Sequence, residues 1–364
     1  MIKYNNVGKI AFLGDTHFGV KNDNTVFLEH FLSFFEKEFF PFLLKNKIKH
    51  VIQFGDLMDK RKSVNFVTLD LIKTRFFNFF KENDIELHVL LGNHDVYYKS
   101  TNKVNSVEGL FSDLITIYNA PTEVTFDNTK FLIIPWITDD NSVEVYDYIK
   151  KTDAKYCLSH LELSGFEFAK GILSYNGTNK DPFEKFEHVW TGHYHTSSTQ
   201  GNITYLGTPY EITWSDFNDP KKVYLFDCGT KEIESFSLNQ RMFVYVDWDE
   251  TASKEWLTTG KIDIKGKYNA AKGCSFKISV HDANYDMQVD SFVKWLDKAW
   301  LPTKISVIDI YNIIQADVDI DNIRVKSPVA LLHESVLNFP RNNELNHIIK
   351  DIYEQALLEQ IDNE

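Results

Sequence analysis

Across the first two-thirds of the chain, short apolar runs alternate with longer stretches whose apolar residues recur at helical spacing. Lys9-Ile10-Ala11-Phe12-Leu13 predicts a strand ending at Gly14-Asp15. Val26 to Leu44 predicts a helix broken near Pro41, because proline cannot donate the backbone hydrogen bond a helix interior needs. His50 to Phe54 predicts a second strand ending at Gly55-Asp56, Phe66 to Phe80 a second helix, and Glu86 to Leu91 a third strand ending at Gly92-Asn93. Strand and helix alternating at this spacing imply βαβ units and a largely parallel core. Lys130 to Trp136, Lys155 to Ser159, Val189-Trp190, Ile203 to Leu206 and Lys222 to Asp227 predict the strands of a second sheet, and Ser235 to Asp247 completes this domain.

The pattern then changes. Glycine and lysine recur between Thr251 and Gly273, followed by a predicted strand from Ser275 to Val280, a helix from Met287 to Trp300 and a strand from Lys304 to Ile314. Two further helices are predicted over Pro328 to Asn338 and Asn342 to Ile361, separated by Phe339-Pro340. In the second, Leu345, Ile348, Ile349, Ile352, Ala356 and Leu357 form one apolar stripe, which either packs on its own domain or receives a partner. The expected division is a domain over 1–248, a small α/β domain over 249–320 and a tail over 321–364.

Composition fits a globular protein, with 43% hydrophobic and 25% charged residues. Paired phenylalanines such as Phe34-Phe35, Phe39-Phe40 and Phe76-Phe77 read as helix-packing core. The net charge of −13 argues against a surface that coats nucleic acid indiscriminately, so any phosphate chemistry must be made possible at the site itself. Cys157, Cys228 and Cys274 are widely spaced, form no CxxC pair and suit a reducing compartment. No leader pattern and no apolar run of membrane-spanning length is seen, and the expected location is cytoplasmic.

The strand ends carry the chemistry. Asp15-Thr16-His17 and His193-Tyr194-His195 are i, i+2 pairs, which in extended chain point their side chains the same way. Asp56 with Asp59, Asn93-His94-Asp95 and His160 close three more predicted strands. Ligands collect at the carboxyl ends of strands in layered α/β domains, so these groups can meet on one rim. Each motif alone is weak; the whole series, each member at a strand end, is specific. Asp, Asn and His without thiolate suit manganese, iron or magnesium, with zinc possible. One carboxylate shared by two ions would set them roughly 3.5–4 Å apart, as phosphoryl chemistry requires.

This series resembles the calcineurin-like metallophosphoesterases over Lys9 to Pro209, including a Leu206-Gly207-Thr208-Pro209 turn after the His-x-His pair. The fuller layout resembles the SbcD-type DNA repair nuclease subunits, including those of tailed phages. The resemblance implies an α/β two-sheet metallophosphoesterase sandwich flanked by helices, with a small α/β capping, DNA-binding domain and C-terminal helices. It implies that Asp15, His17 and His195 bind one metal, that Asp56 bridges, and that Asn93, His160 and His193 complete the second. His94, by the same resemblance, is not a ligand but supports the scissile phosphate or protonates the leaving oxygen. The implied cofactors are two divalent ions, manganese first, with magnesium or iron as alternatives. The implied activity is exo- and endonuclease cleavage of DNA in end processing, recombination and repair. The implied partners are DNA, an SbcC-type coiled-coil ATPase bound through the tail, and a second copy of the chain. No Gly-x-x-x-x-Gly-Lys-Ser/Thr loop is present, so ATP hydrolysis would belong to another chain.

One departure concerns Asp59, which stands where many relatives carry a second active-site histidine. Two readings are open: it orients His94 or a water, or it caps a helix. Asp95 is a further candidate for support behind the ligands. Lys60, Arg61 and Lys62, and Lys254, Lys261, Lys265, Lys267 and Lys272 in the second domain, are candidates for gripping flanking phosphates. Two other function classes compete: a phosphatase or small-molecule phosphodiesterase on the same motifs, and a scaffold without catalysis.

Overall fold

A computed structural model describes residues 2–169, 172–237, 241–268, 270–281 and 286–309. The tail helices expected beyond 320 lie outside the described residues. No helix among the described residues is long and apolar enough to cross a membrane.

The described residues divide into two compact units, one within 2–210 with 218–237 and the other within 211–217 with 241–309. The first unit is built on two large mixed sheets. One has six strands in the order Ile233–Ser237, Lys222–Asp227, Lys9–Leu13, His50–Gln53, Glu86–Leu90, Thr116–Tyr118; its last four run parallel. The other has seven, in the order Ile2–Tyr4, Thr122–Phe126, Thr129–Ile134, Tyr156–His160, His188–Gly192, Ile203–Tyr205, Ser198–Gln200. The side-chain period of two explains the layering. Ile10, Phe12, Ile52 and Leu90 from the first sheet meet Phe131, Ile133, Leu158 and Trp190 from the second in one buried cluster. Leu132, Ile134, Cys157 and Val189 face the other way and pack with Val145 and Ile149 of the helix Ser142–Lys151.

The first sheet's helices are where the paired phenylalanines go. Phe35 and Phe76 stack edge to face with ring centres 4.6 Å apart, and Phe18 meets Phe76 at 5.1 Å. The expected break near Pro41 is replaced by a π-helical turn, Phe35–Phe39, between the α-helical segments Thr25–Phe34 and Phe40–Lys45. The wider turn shifts the hydrogen-bond pattern just before proline, which then sits in the first turn of the next segment, where its missing N–H matters least. A second π turn, Lys73–Phe77, interrupts the helix that begins at Phe66.

The second unit has three parallel strands in the order Arg241–Trp248, Ala270–Val280, Ile305–Asp309, with the helices Glu250–Thr259 and Asp286–Trp300 as crossovers. The sequence reading gave the stretch up to Asp247 to the first domain. The structure instead pairs Arg241–Trp248 with Ala270–Val280, because Val244, Val246 and Trp248 complete this unit's own core with Phe276, Ile278 and Phe292. Buried Glu211 fixes the start of that strand, accepting from Arg241 Nη1 at 2.7 Å and from the backbone N–H groups of Met242 and Phe243.

Candidate metal centre

Five strands of the first unit end on one rim: Lys9–Leu13, His50–Gln53, Glu86–Leu90, Tyr156–His160 and His188–Gly192. The loops leaving them are held to one another by backbone. The Asp56 carbonyl accepts from the N–H groups of Thr16 and His17, and its carboxylate accepts from His94 N–H at 2.8 Å. Asp95, fully buried, accepts from Leu57 and Met58 with one oxygen and from Gly92 with the other, so it ties the second loop to the third. Gly92 has no alternative: a Cβ there would overlap the Asp56 carboxylate. His17, Asp56 and His193 adopt positive φ values of 44°, 50° and 94°, conformations that cost a non-glycine residue about 1–2 kcal/mol each. Backbone strain of this kind concentrates where geometry serves chemistry.

The side chains so placed converge. Asp15, His17 and His195 form one group of close donor atoms, with the two imidazole Nε2 atoms 3.0 Å apart. Asp56, His160 and His193 form another. Asp56 Oδ2 lies 3.7 Å from His17 Nε2 and 3.4 Å from His160 Nε2, so it faces both groups. Asn93 Oδ1 lies 3.0 Å from His160 Nε2 and 2.9 Å from His193 Nδ1.

Three contacts orient the rings. His160 Nδ1–H donates to the Phe54 carbonyl at 2.7 Å, turning Nε2 inward, where a cation would displace its proton. His94 Nδ1–H donates to the Asp59 carbonyl at 2.6 Å. His17 Nδ1 faces Asp59 Oδ1 at 3.4 Å, leaving Nε2 toward Asp56. Asp59 therefore acts twice, its backbone on His94 and its side chain on His17.

Electrostatics shows a cluster short of positive charge. Burial pushes the Asp15 carboxyl up to about 7, against the pull of His160, with Asp56 adding to the rise. Burial, helped by Asp56, pushes Asp95 up to about 6. Burial would lower His160, but Asp56 and Asp15 outweigh it and hold the ring up near 9. Asp56 itself, despite burial, is held well below the usual carboxylate range by His160 and His94. Burial and His160 keep His193 neutral, its proton affinity well below the ordinary value.

The donor set fits divalent cations. Asp15 Oδ1 is buried and meets no hydrogen-bond donor among the described residues. With the Asn93 amide oxygen inward, Asn93, Asp56 and His193 turn acceptors toward one another around His160 Nε2, and the raised proton affinity of that ring marks a place where positive charge is favoured. With the amide reversed, its nitrogen donates to those three residues and its oxygen accepts from Arg61 Nη2 at 3.2 Å. Carboxylate, amide oxygen and imidazole without thiolate are ligands for manganese, iron, magnesium or zinc.

The remaining sequence candidates lie elsewhere. Lys60 pairs with Asp23 at 2.9 Å, and Lys62 lies over the Tyr97 ring. Lys254, Lys261, Lys265, Lys267 and Lys272 are all exposed in the second unit, with Lys267 3.9 Å from Glu255. Two residues at the rim escaped the sequence reading. Trp136 sets its ring 5.2 Å from that of His193 and 5.8 Å from that of His160. Lys221, buried, donates to the His195 carbonyl and to Asp219. Trp136 follows the carboxyl end of the strand Thr129–Ile134, the same signal that marked the others; Lys221 had none.

Comparison with known proteins accords with this geometry. Residues 8–264 match the model of calcineurin-like phosphoesterases. The chain is 31% identical over 334 residues to exonuclease subunit 1 of Enterobacteria phage T4, covering 91% of this chain and 93% of the relative. It is 25% identical over 226 residues to a putative phosphoesterase of Invertebrate iridescent virus 3, covering 57% of this chain and 59% of that protein.

Proposed function

The chain belongs to the calcineurin-like phosphoesterase family, and from that premise we propose that it is a two-metal DNA nuclease, the catalytic subunit of a complex that processes DNA ends. The observation that carries this reading is the meeting of Asp15, His17, Asp56, Asn93, His160, His193 and His195 on one rim, with His94 beside them. The similarity to a phage exonuclease subunit, which spans nearly the whole of both chains, favours DNA over a phosphoprotein.

In this reading Asp15, His17 and His195 would hold one ion and Asn93, His160 and His193 the other, with Asp56 available to both. When bound, the ions supply Lewis acidity that brings the pKa of water down to about 7 and charge that offsets the phosphodiester. The chain's own residues do the rest. The Phe54 carbonyl orients His160, and the Asp59 carboxylate faces Nδ1 of His17. His94, with Nδ1–H fixed on the Asp59 carbonyl, would act as an imidazolium, its second proton on Nε2 directed at the phosphate or the departing sugar oxygen, where it supports the developing charge or is passed to the leaving oxygen.

We assign contacts with flanking phosphates to Lys62 and to the exposed lysines of the second unit, and to that unit the role of DNA-binding cap. The tail receives an SbcC-type ATPase, and two copies of the chain work together in a bacterial or phage-infected cytoplasm. Phe66, 81% exposed at the start of its helix, is apolar surface that contact between copies would cover.

The test is a manganese-dependent assay on end-labelled DNA, with a phosphopeptide and a cyclic nucleotide run in parallel. Wild type should cut DNA best. His94→Ala should lower turnover by roughly a hundredfold or more while leaving metal content unchanged. Preferential hydrolysis of the phosphopeptide or cyclic nucleotide, or full turnover by His94→Ala, overturns the reading.

A further inference from the structure

The strands His50–Gln53 and Glu86–Leu90 carry a second group of donor atoms at their other ends. His50 and Glu86 are direct partners in the parallel ladder, and His88 follows two residues after Glu86, on the same face of the sheet. His50 Nδ1 lies 3.1 Å from His88 Nε2. Glu86 Oε2 lies 3.8 Å from His50 Nδ1, and Glu86 Oε1 lies 3.8 Å from His88 Nε2. The strand His50–Gln53 spans roughly 10 Å, and this group lies at the opposite end of it from the loop that carries Asp56.

The surroundings hold these atoms in place. His88 is fully buried, and its Nδ1 lies 3.0 Å from the Tyr118 hydroxyl, so Nε2 is the free acceptor when Nδ1 carries the proton. Glu86 Oε1 accepts from the Tyr4 hydroxyl at 2.9 Å and from Thr116 Oγ1 at 2.7 Å. The rings of Tyr4 and Phe126 wall both imidazoles at centre distances of 4.9–5.5 Å. The Glu86 side chain is 37% exposed, which gives an entry from solvent.

We propose that His50 Nδ1, His88 Nε2 and the Glu86 carboxylate form a third, mononuclear cation site suited to zinc. Zinc bonds of about 2.0–2.2 Å in a tetrahedral arrangement separate neighbouring ligand atoms by roughly 3.3 Å; the two imidazole nitrogens lie 3.1 Å apart, each Glu86 oxygen lies 3.8 Å from one of them, and one donor atom from each residue falls within 4.8 Å of the others. Two imidazoles with one carboxylate is a zinc donor set, and the open edge leaves the fourth position to water. The competing arrangement is a hydrogen bond from one imidazole to the other. It accounts for the 3.1 Å contact and leaves Glu86 Oε1 on Tyr4 and Thr116, but gives the charge on Oε2, 3.8 Å from His50 Nδ1, no cation to face. Both rings do stay uncharged, since burial lowers the proton affinity of His50, and burial with His50 nearby lowers that of His88 to about 3.

The experiment counts tightly bound zinc in the full chain by competition with a chromophoric chelator, comparing wild type, His50→Ala and Glu86→Gln. The comparison cancels whatever the other centre binds. Wild type should hold one equivalent more than His50→Ala, and Glu86→Gln should hold it at least tenfold more weakly. Manganese-dependent turnover of His50→Ala should match wild type. A measurement on wild type alone guards against a folding defect: zinc should shift the side-chain nitrogen resonances of His50 and His88. Equal zinc content in wild type and His50→Ala, or unmoved resonances at those two rings, overturns the site and leaves a hydrogen-bonded histidine pair.

Discussion

The strands His50–Gln53 and Glu86–Leu90 have imidazole and carboxylate at both ends, yet the two ends are built differently. At the carboxyl ends the chain leaves the sheet through loops, and loops from five strands bring eight residues to one rim. At the amino ends the donors sit inside regular ladder pairing, where the pleat aligns only residues two apart or directly opposite. Loop ends can therefore surround two ions, while a sheet face offers three donors and holds at most one. The number of contributing elements, more than the residue types, sets what each end can bind.

The sharpest way to break this contrast is Asp56→Asn. It keeps the shape but removes the charge shared by the two donor groups, and nuclease turnover should fall on the order of a thousandfold or more. Zinc at His50 and His88 should be untouched; its loss would mean the two ends are one system. Asp59→Ala is a finer probe. It deletes the carboxylate facing His17 and leaves the backbone carbonyl that holds His94, so manganese affinity by calorimetry should drop tenfold to a hundredfold. An unchanged affinity would remove Asp59 from the supporting set. The smallest effect, confined to stability, comes from a histidine at neither end. His30 is buried, its Nε2 meets no hydrogen-bond partner among the described residues, and burial holds its pKa near 4. Unfolded, the ring takes its proton below about 6.5. Between those values the unfolded state carries more protons, so stability falls as pH falls, by on the order of 2 kcal/mol at pH 5. In urea unfolding at pH 7 and pH 5, His30→Leu should lose less stability than wild type; an equal loss would place the acid sensitivity elsewhere.

How much of this was legible in the sequence depended on where the residues sat. Asp15, Asp56, Asn93 and His193 each follow a glycine at the end of an apolar run, so position and residue type pointed the same way. His50, Glu86 and His88 lie within predicted strands, where Glu-Leu-His reads as ordinary alternation and nothing reveals that His50 stands opposite Glu86. The double action of Asp59 was half visible, because a side chain can be read from sequence while a carbonyl's direction cannot. The stretch Ser235 to Asp247 was read as completing the first domain for a related reason. Its apolar alternation marks a strand, and only the packing of Trp248 with Phe292 shows which core it completes.

The left-handed backbone at His17, Asp56 and His193 sets selection for stability against selection for activity. Glycine at any of the three would relax the main chain and delete a cation-facing group in one step. A library screened only for heat resistance should drift toward glycine at these positions, and one screened for turnover should hold them fixed.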